Sequence, residues 1–166
     1  MKKIFYTAAV VLGLTFTAHS QVTSKNALGL RFGDNDGFGG ELSYQRKLSN
    51  NNRLELDLGL RNGKFIDSFK LTGLYQWVWN IEGGFNWYAG VGAGVGSWNY
   101  NDNNKFVNDN NSNTFVFAAG DLGIEYNFDV PIQISLDIRP EFYFSDGYRD
   151  NNYGSDIALG IRYRFN

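Results

Sequence analysis

The chain has 166 residues, with 15 Lys and Arg against 17 Asp and Glu, one His and no Cys. This slight acidity excludes nucleic acid as a partner, because nucleic-acid-binding proteins present clustered basic charge. The absence of cysteine excludes a small secreted domain held together by disulfides, and the length is that of one domain.

Residues 1–20 are predicted to be a secretory signal peptide. Two lysines precede an apolar run over residues 4–16, which is too short to span a bilayer as a helix. Small residues then stand at the two positions that signal peptidase reads before its cleavage site. We therefore expect cleavage after Ser20, which removes the only histidine and leaves residues 21–166 as one domain.

Eight strands follow in chain order, each with apolar and polar residues in alternate places. They are predicted over residues 27–32, 39–48, 53–61, 69–79, 85–97, 114–126, 132–144 and 154–165. The seventh strand, with Ile132, Ile134 and Leu136 on one face, is longer than the roughly 9 to 11 residues that a tilted strand needs to cross a bilayer. The pattern predicts an all-β fold: an eight-stranded antiparallel up-and-down transmembrane β-barrel.

The polar face of these strands is predicted to line the barrel interior, and the apolar face to meet lipid. The opposite arrangement would place charges in lipid, at about 2 to 4 kcal/mol for each Arg or Lys at mid-depth. Because unpaired buried charges are costly, we expect the inward charges to pair with one another. The predicted network consists of Arg31, Glu41, Glu55, Asp57, Arg61, Lys70, Asp121, Glu125, Asp137, Arg139, Glu141, Asp156, Arg162 and Arg164, with Lys47 on the same face. Two interpretations remain open: a salt-bridge plug that fills the barrel, and a narrow path for ions or protons.

Two strands contain residues that are unusual in a sheet. Strand five has Gly90, Gly92, Gly94 and Gly96 on its inward face, where they are predicted to leave room for long charged side chains opposite. Pro140 lies within strand seven and removes a ladder hydrogen bond. We expect a β-bulge near the outer rim at that position.

The predicted connections alternate in length along the chain. Those after strands two, four and six are short, whereas the others are longer, including loop 62–68 and the Asn-rich loop 98–113. This is the asymmetry of outer-membrane barrels, whose short turns face the periplasm. Aromatic residues gather at both ends, as interfacial girdles do. Trp77, Trp79, Phe85, Trp87, Tyr126, Phe128, Tyr163 and Phe165 lie beside the short turns, and Phe32, Phe38, Phe69, Phe142, Phe144 and Trp98 lie toward the loops.

The end of the chain carries the most specific pattern, with Gly160, Tyr163 and Phe165 followed by Asn166. A glycine followed by apolar or aromatic residues that end at a phenylalanine resembles the signal read by the barrel-assembly machinery. With this signal, the chain resembles the small eight-stranded outer-membrane barrels, the group of the OmpX-like proteins and the membrane domain of OmpA. The resemblance implies an outer-membrane location, lipid and the assembly machinery as partners, and a monomer, but no single activity.

The residues for catalysis or metal binding are missing. The predicted mature chain has neither His nor Cys, so the usual acyl-transfer sites cannot be built, and Glu55 and Asp57 share a strand face as network members. The segment from Asp34 to Gly37 begins like a calcium loop, but the position of its bidentate glutamate is Gln45, which favours a turn. We therefore expect no catalytic residue, no metal site and no cofactor.

These observations lead to three hypotheses. The first is a non-catalytic outer-membrane barrel with a charge-filled lumen and a structural or adhesin-like role through its loops. In that hypothesis, loop 98–113 is either a solvated loop or a site for a surface ligand. The second is a narrow outer-membrane channel. The third is a secreted soluble carrier of the lipocalin type, which would have an apolar interior.

Overall fold

The computed structural model describes residues 24–33, 39–62, 66–100, 112–144 and 152–166, and the predicted signal peptide lies outside these ranges. The described strands form one closed antiparallel barrel in which each strand pairs with its neighbours in the chain. They are β1 (Asn26–Gly33), β2 (Gly40–Lys47), β3 (Asn52–Asn62), β4 (Ile66–Glu82), β5 (Phe85–Tyr100), β6 (Ser112–Asn127), β7 (Ile132–Tyr143) and β8 (Tyr153–Phe165). The predicted eight-stranded up-and-down barrel is confirmed.

The barrel closes where the first strand meets the last. The ladder between β1 and β8 runs from Asn26 opposite Phe165 to Gly33 opposite Ala158. Closure pairs both would-be edge strands, so their backbone N–H and C=O groups bond each other instead of solvent or another chain. Within the described residues, no helix is long and apolar enough to span a membrane.

The two faces of the sheet differ in chemistry and in exposure. Leu122, Leu136 and Ile157 point outward and are 51%, 49% and 55% exposed, whereas Arg139 and Glu141 of β7 are 0% and 1% exposed. The apolar face is therefore the exterior and the polar face the interior, as the alternation predicts. A carrier of the lipocalin type needs the reverse arrangement, so the structure contradicts the third hypothesis.

Aromatic side chains form a girdle on the exterior beside the short turns. Trp79 and Trp87 stack with ring centroids 4.3 Å apart. Tyr126 contacts Phe85 at 4.5 Å and Phe128 at 4.7 Å between ring centroids. These contacts link the ends of β4, β5 and β6 in the place that the sequence predicts for the girdle.

The predicted bounds of two loops are wrong, because the flanking strands are longer than predicted. The strands β5 and β6 extend into the predicted loop 98–113 and leave only residues 101–111 between them, and β3 and β4 reduce loop 62–68 to residues 63–65. The clear alternation of apolar and polar residues ends before the strands do, since pairing continues to Ile66 opposite Tyr100 and Asn99 opposite Ser112. Backbone pairing does not depend on that alternation, so the ladder continues beyond it.

Pro140 does not lie in a bulge, which corrects the expectation from the sequence. The ladder between β6 and β7 is interrupted at Pro140 but has the same register on both sides, with Ala119 opposite Glu141 beyond the gap. A Cβ on Gly120 would lie 3.1 Å from Pro140 Cγ. The missing side chain of Gly120 thus makes room for the ring, and the proline removes a hydrogen bond without shifting the strands.

Two of the four inward glycines of β5, Gly94 and Gly96, make room for aromatic rings and not for the long charged side chains that were predicted. A Cβ on Gly90 would instead meet the side chains of Gln76 and Asp121, and one on Gly92 would meet the backbone of β4. A Cβ on Gly94 would collide with the ring of Phe117, and one on Gly96 with the ring of Phe115. Both rings come from β6, which pairs directly with β5, so they lean over the glycines before any side chain from across the lumen can reach them.

This packing predicts the effect of adding one methyl group. In Gly94→Ala the new Cβ meets the Phe117 ring and lies 2.7 Å from the Leu71 carbonyl oxygen, so we expect the free energy of unfolding to fall by about 1–3 kcal/mol. Urea titration of the refolded protein in micelles measures it. Gly73→Ala is the control, because its Cβ meets Leu56 at an ordinary 3.5 Å, and its effect should stay within about 0.5 kcal/mol. Equal losses in the two variants would contradict the account.

Candidate functional site

The lumen is lined by charged side chains at alternate positions of seven strands. Among the described residues, its buried cations are Arg31, Arg53, Lys70, Arg139 and Arg162, and its buried carboxylates are Glu41, Glu55, Asp57, Asp121, Glu125, Asp137, Glu141 and Asp156. The carboxylates outnumber the cations, so single cations have to serve several of them. A guanidinium, with five N–H donors in one plane, is suited to this.

Arg31 binds three carboxylates from three other strands. Its Nη2 and Nε donate to Asp137 Oδ1 at 2.5 and 2.9 Å. Its Nη1 donates to Asp156 Oδ2 at 2.7 Å and to Glu41 Oε2 at 3.0 Å. One side chain thereby ties β1 to β2, β7 and β8 across the lumen.

Arg139 is a second centre of the same kind. Its Nη2 donates to Asp57 Oδ2 at 2.6 Å and to Glu55 Oε1 at 3.4 Å, and its Nη1 donates to Glu41 Oε2 at 3.1 Å. Glu41 Oε2 therefore accepts from both Arg31 and Arg139. This shared oxygen joins the two clusters into one network.

Arg162 extends the network toward the short turns. Its Nη2 donates to Glu55 Oε1 at 3.1 Å, its Nη1 to Ser135 Oγ at 2.7 Å and its Nε to Ser43 Oγ at 2.9 Å. A Cβ on Gly160 would collide with Ser135 and with the guanidinium of Arg162. Glycine at this position of β8 is thus what allows the guanidinium to lie there.

An aromatic cluster fills the lumen at the end that faces the long loops. It consists of Leu74, Phe115, Phe117, Ala119 and Tyr143. Lys70 joins it to the charges, because its Nζ donates to Glu141 Oε1 at 2.6 Å and lies 5.1 Å from the centroid of the Phe117 ring. Tyr143 donates its hydroxyl to the same carboxylate. This cluster fills the part of the lumen where an open pore would need water.

Trp98 belongs to this interior and not to the outer girdle, which corrects the prediction. It packs against the aromatic cluster and is half-buried, because even-numbered positions of β5 point inward. Of the other predicted members on that side, Phe38 lies outside the described residues. The remaining four are exposed on the exterior: Phe32, Phe69, Phe142 and Phe144.

Arg53 is a member of the network that the sequence interpretation missed. It is 7% exposed, donates to Gln76 and Glu125, and lies 4.5 Å from the centroid of the Tyr88 ring. The signal was present, since Arg53 stands two residues before Glu55 and shares its face. It was overlooked because it opens the predicted strand, where a charge also fits a turn.

Asp121 departs from the expected pairing. It accepts a hydrogen bond from Gln76, but none of the described cations forms an ion pair with it, and its Oδ1 has no hydrogen-bond partner. It faces Gly90 in the β5–β6 ladder. At this ladder position β5 therefore supplies no side chain to meet the carboxylate.

Arg164 also departs from the expected pairing. Its Nη2 donates to the carbonyl oxygens of Phe128 and Val130 at 2.6 and 3.2 Å, so it binds a short turn and no lumen carboxylate. Arg164 lies near the end of β8, beside the turn between β6 and β7, and the carbonyl groups of that turn are within its reach. The side chain of Arg61, a further predicted member, lies outside the described residues.

The geometry leaves little room for a reaction in the lumen. Glu55 and Asp57, two carboxylates on one strand face, are 1% and 0% exposed and both accept from Arg139. Within the described ranges, no group of three or more His, Cys, Asp or Glu residues could hold a metal ion. This arrangement links the strands and keeps Glu55 and Asp57 out of reach of a substrate.

Comparison with known proteins finds similarity in structure alone. No protein-family model matches the chain, and no curated protein matches its sequence. Neisserial surface protein A (NspA) superposes with a TM-score of 0.59 at 11% identity over 84% of this chain and 94% of that one.

Two further solved barrels match to a similar degree. The N-terminal β-barrel domain of Pseudomonas aeruginosa OprF gives a TM-score of 0.59 at 13% identity, over 84% of this chain and 98% of that one. Ail, the attachment invasion locus protein of Yersinia pestis, gives 0.56 at 18% identity, over 86% and 97%. All three are small eight-stranded outer-membrane barrels. At these identities the likeness establishes the fold, which agrees with the resemblance inferred from the sequence.

The network predicts a large cost for removing its central cation. Arg139→Leu leaves Asp57 and two glutamates without that partner, so we expect unfolding in urea to require about 3–5 kcal/mol less. Arg46→Leu, which removes an exposed charge from the exterior of β2, should cost nothing measurable. Adding Asp57→Leu to the first variant should restore part of the loss, because it removes one uncompensated charge. A stable single variant would show that the pairs contribute little.

Proposed function

We propose that this protein is a non-catalytic, monomeric integral barrel of the outer membrane, with a structural or surface-interaction role through its long-loop end. The observation that carries the proposal is the inverted burial pattern, in which Leu136 is 49% exposed and Arg139 is 0% exposed. Apolar side chains around the whole exterior suit hydrocarbon and not water. The fold shared with three outer-membrane barrels supports the same location.

The end of β8 supports delivery by the barrel-assembly machinery. Tyr163 and Phe165 are 42% and 37% exposed on the exterior, with ring centroids 6.4 Å apart. Gly160 lies on the inward face. The proposed assembly signal therefore presents its two aromatic rings on the outer surface, where a partner in the membrane can reach them.

A surface role is supported by the contrast between the two ends of the barrel. The longest connections, residues 101–111 and 144–152, are on the same end as the aromatic cluster. A filled lumen at that end leaves the loops as the part available to another molecule. The structural likeness to Ail, an attachment invasion locus protein, is compatible with adhesion at this end, with a surface ligand at the connection over residues 101–111.

A narrow ion or proton path is the second candidate. Asp121 favours it, because a buried carboxylate with an unbonded oxygen is the kind of group that a proton or cation visits. The ion-paired centre and the aromatic cluster favour the filled lumen instead. We therefore propose the filled, non-conducting lumen first and the ion or proton path second.

If hydrocarbon surrounds the exterior of the barrel, a charge introduced there should lower the stability of the protein. Leu136→Arg places a guanidinium on the outward face of β7, so stability in lipid vesicles should fall by about 2–4 kcal/mol if that site lies near the bilayer midplane. Ser49→Arg, in the short turn before β3, is the control and should change stability by less than about 0.5 kcal/mol. The readout is urea unfolding in vesicles. An aqueous, detergent-independent protein that tolerates both changes would overturn the membrane proposal.

Planar-bilayer recording separates the two candidates. The filled lumen predicts that refolded protein gives no reproducible single-channel steps. Steps that disappear in Glu141→Gln and persist in Arg46→Leu would contradict the filled lumen and favour a path through the barrel. The second variant is the control because its side chain lies on the exterior.

A further inference from the structure

The end of the barrel beside the short turns contains an open polar cavity. Its volume is about 250 Å³, and it is bounded by the turn over residues 48–51, the first residues of β1 and the last residues of β6 and β8. Drug-sized ligands occupy cavities of about 300–1,000 Å³, so this one suits a smaller molecule. At the opposite end, the described part of the lumen is filled by the aromatic cluster.

Among the charged residues that line this cavity, cations outnumber carboxylates. Lys25, Lys47, Arg53 and Arg164 line it together with a single carboxylate, Glu125. Glu125 is already engaged by Arg53. Among the described residues no carboxylate forms an ion pair with either lysine or with Arg164. The cavity therefore has an excess of positive charge, whereas the lumen beyond it has an excess of carboxylates.

Two N–H groups on residues that line the cavity have no hydrogen-bond partner within the described part of the protein. Arg53 is more than nine-tenths buried, and its Nη2 has no hydrogen-bond partner, while its other two nitrogens are taken by Gln76 and Glu125. Arg164 Nε is likewise without a partner. An unpaired donor on a buried guanidinium is costly, so an acceptor that comes within reach of Arg53 Nη2 from the cavity is stabilised.

Side-chain amides supply further donors around the cations. Asn86 and Asn127 line the cavity, and each donates to Glu125 Oε1, at 3.0 and 3.3 Å. They hold that carboxylate in place beside Arg53. Its charge is thereby satisfied within the wall, and a second anion can approach the remaining cations.

We propose that this cavity binds a small soluble oxyanion, a molecule bearing a carboxylate or phosphate group, on the side of the short turns. Planar guanidinium groups match the geometry of both groups, and the lysines add charge at the entrance. The inference goes beyond the proposed function, because that function concerns the long-loop end and does not depend on whether this cavity is occupied. A structural alternative is that the cations only balance the carboxylates of the lumen.

Titration of the mature chain, refolded in zwitterionic micelles, tests the proposal. One arm adds inorganic phosphate and a second adds succinate, each at constant ionic strength set with chloride. Nuclear magnetic resonance follows the guanidinium signals of Arg53 and the side-chain amides of Asn86 and Asn127. We expect saturable shifts at these groups with one or both anions, and the stronger arm identifies the group that is preferred. Shifts that do not saturate, or that chloride reproduces, would overturn the proposal.

A matched pair of neighbouring residues provides the control. Lys47→Gln removes a cation that lines the cavity, and Arg46→Gln removes one from the exterior at the adjacent position of β2. Both change the net charge equally. We expect binding to weaken roughly three- to tenfold in the first variant and to stay within about twofold in the second. Equal weakening would mean that net charge alone attracts the anion, which contradicts a built site.

Both variants keep the Arg53 and Glu125 pair, so they should fold as the parent does. The urea midpoint of each variant separates binding from stability. If Lys47→Gln lowers the midpoint and no anion binds the parent, the cations only balance the lumen, and the proposal is wrong. If the midpoint is unchanged and the affinity falls, the lysine acts on the ligand.

Discussion

The fold depends on taking charged side chains out of water and pairing them inside a ring of strands. Each buried ion loses several kcal/mol of hydration, and only close partners and further hydrogen bonds recover it. Arg31 and Arg139 achieve this by donating to carboxylates from several strands at once, and Glu41 accepts from both. The interior is thus a set of polar links between strands, in the position where a soluble protein has its apolar core.

This arrangement makes the two faces of the sheet depend on each other. The apolar exterior is tolerable only where hydrocarbon surrounds it, and the charged interior, which closure keeps from water, is tolerable only because its groups pair with one another. A single strand displaced by one residue would exchange its faces and place Asp137 outside and Leu136 inside. Register is therefore specified from both sides, which explains why the β6–β7 ladder resumes its register after Pro140.

Alternation in the sequence was enough to predict the strands, their faces and the closed barrel, because each depends on the local order of residues. It could not predict partners across the lumen. Arg31 and Asp137 are separated by 106 positions, and whether they meet depends on the stagger of every strand between them. The prediction for Gly94 and Gly96 of β5 was wrong for the same reason, since the rings that cover these glycines come from the next strand. Trp98 and Arg53 were misjudged at strand ends, where alternation is least informative.

The chemistry of the lumen changes along its axis, from aromatic packing at the loop end to ion pairs in the middle and an excess of cations at the short turns. At the loop end, Phe115, Phe117 and Tyr143 pack ring against ring at 5.4 to 6.1 Å between centroids, and Lys70 closes the polar side of that packing. In the middle, guanidinium groups are shared among carboxylates. At the short turns, Arg164 donates to backbone carbonyls, and neither it nor Lys47 forms an ion pair with a described carboxylate. If the interior served stability alone, the ion pairing of the centre could continue down to the short turns. The excess of cations at the cavity beside those turns is therefore the part of the interior that stability alone does not explain.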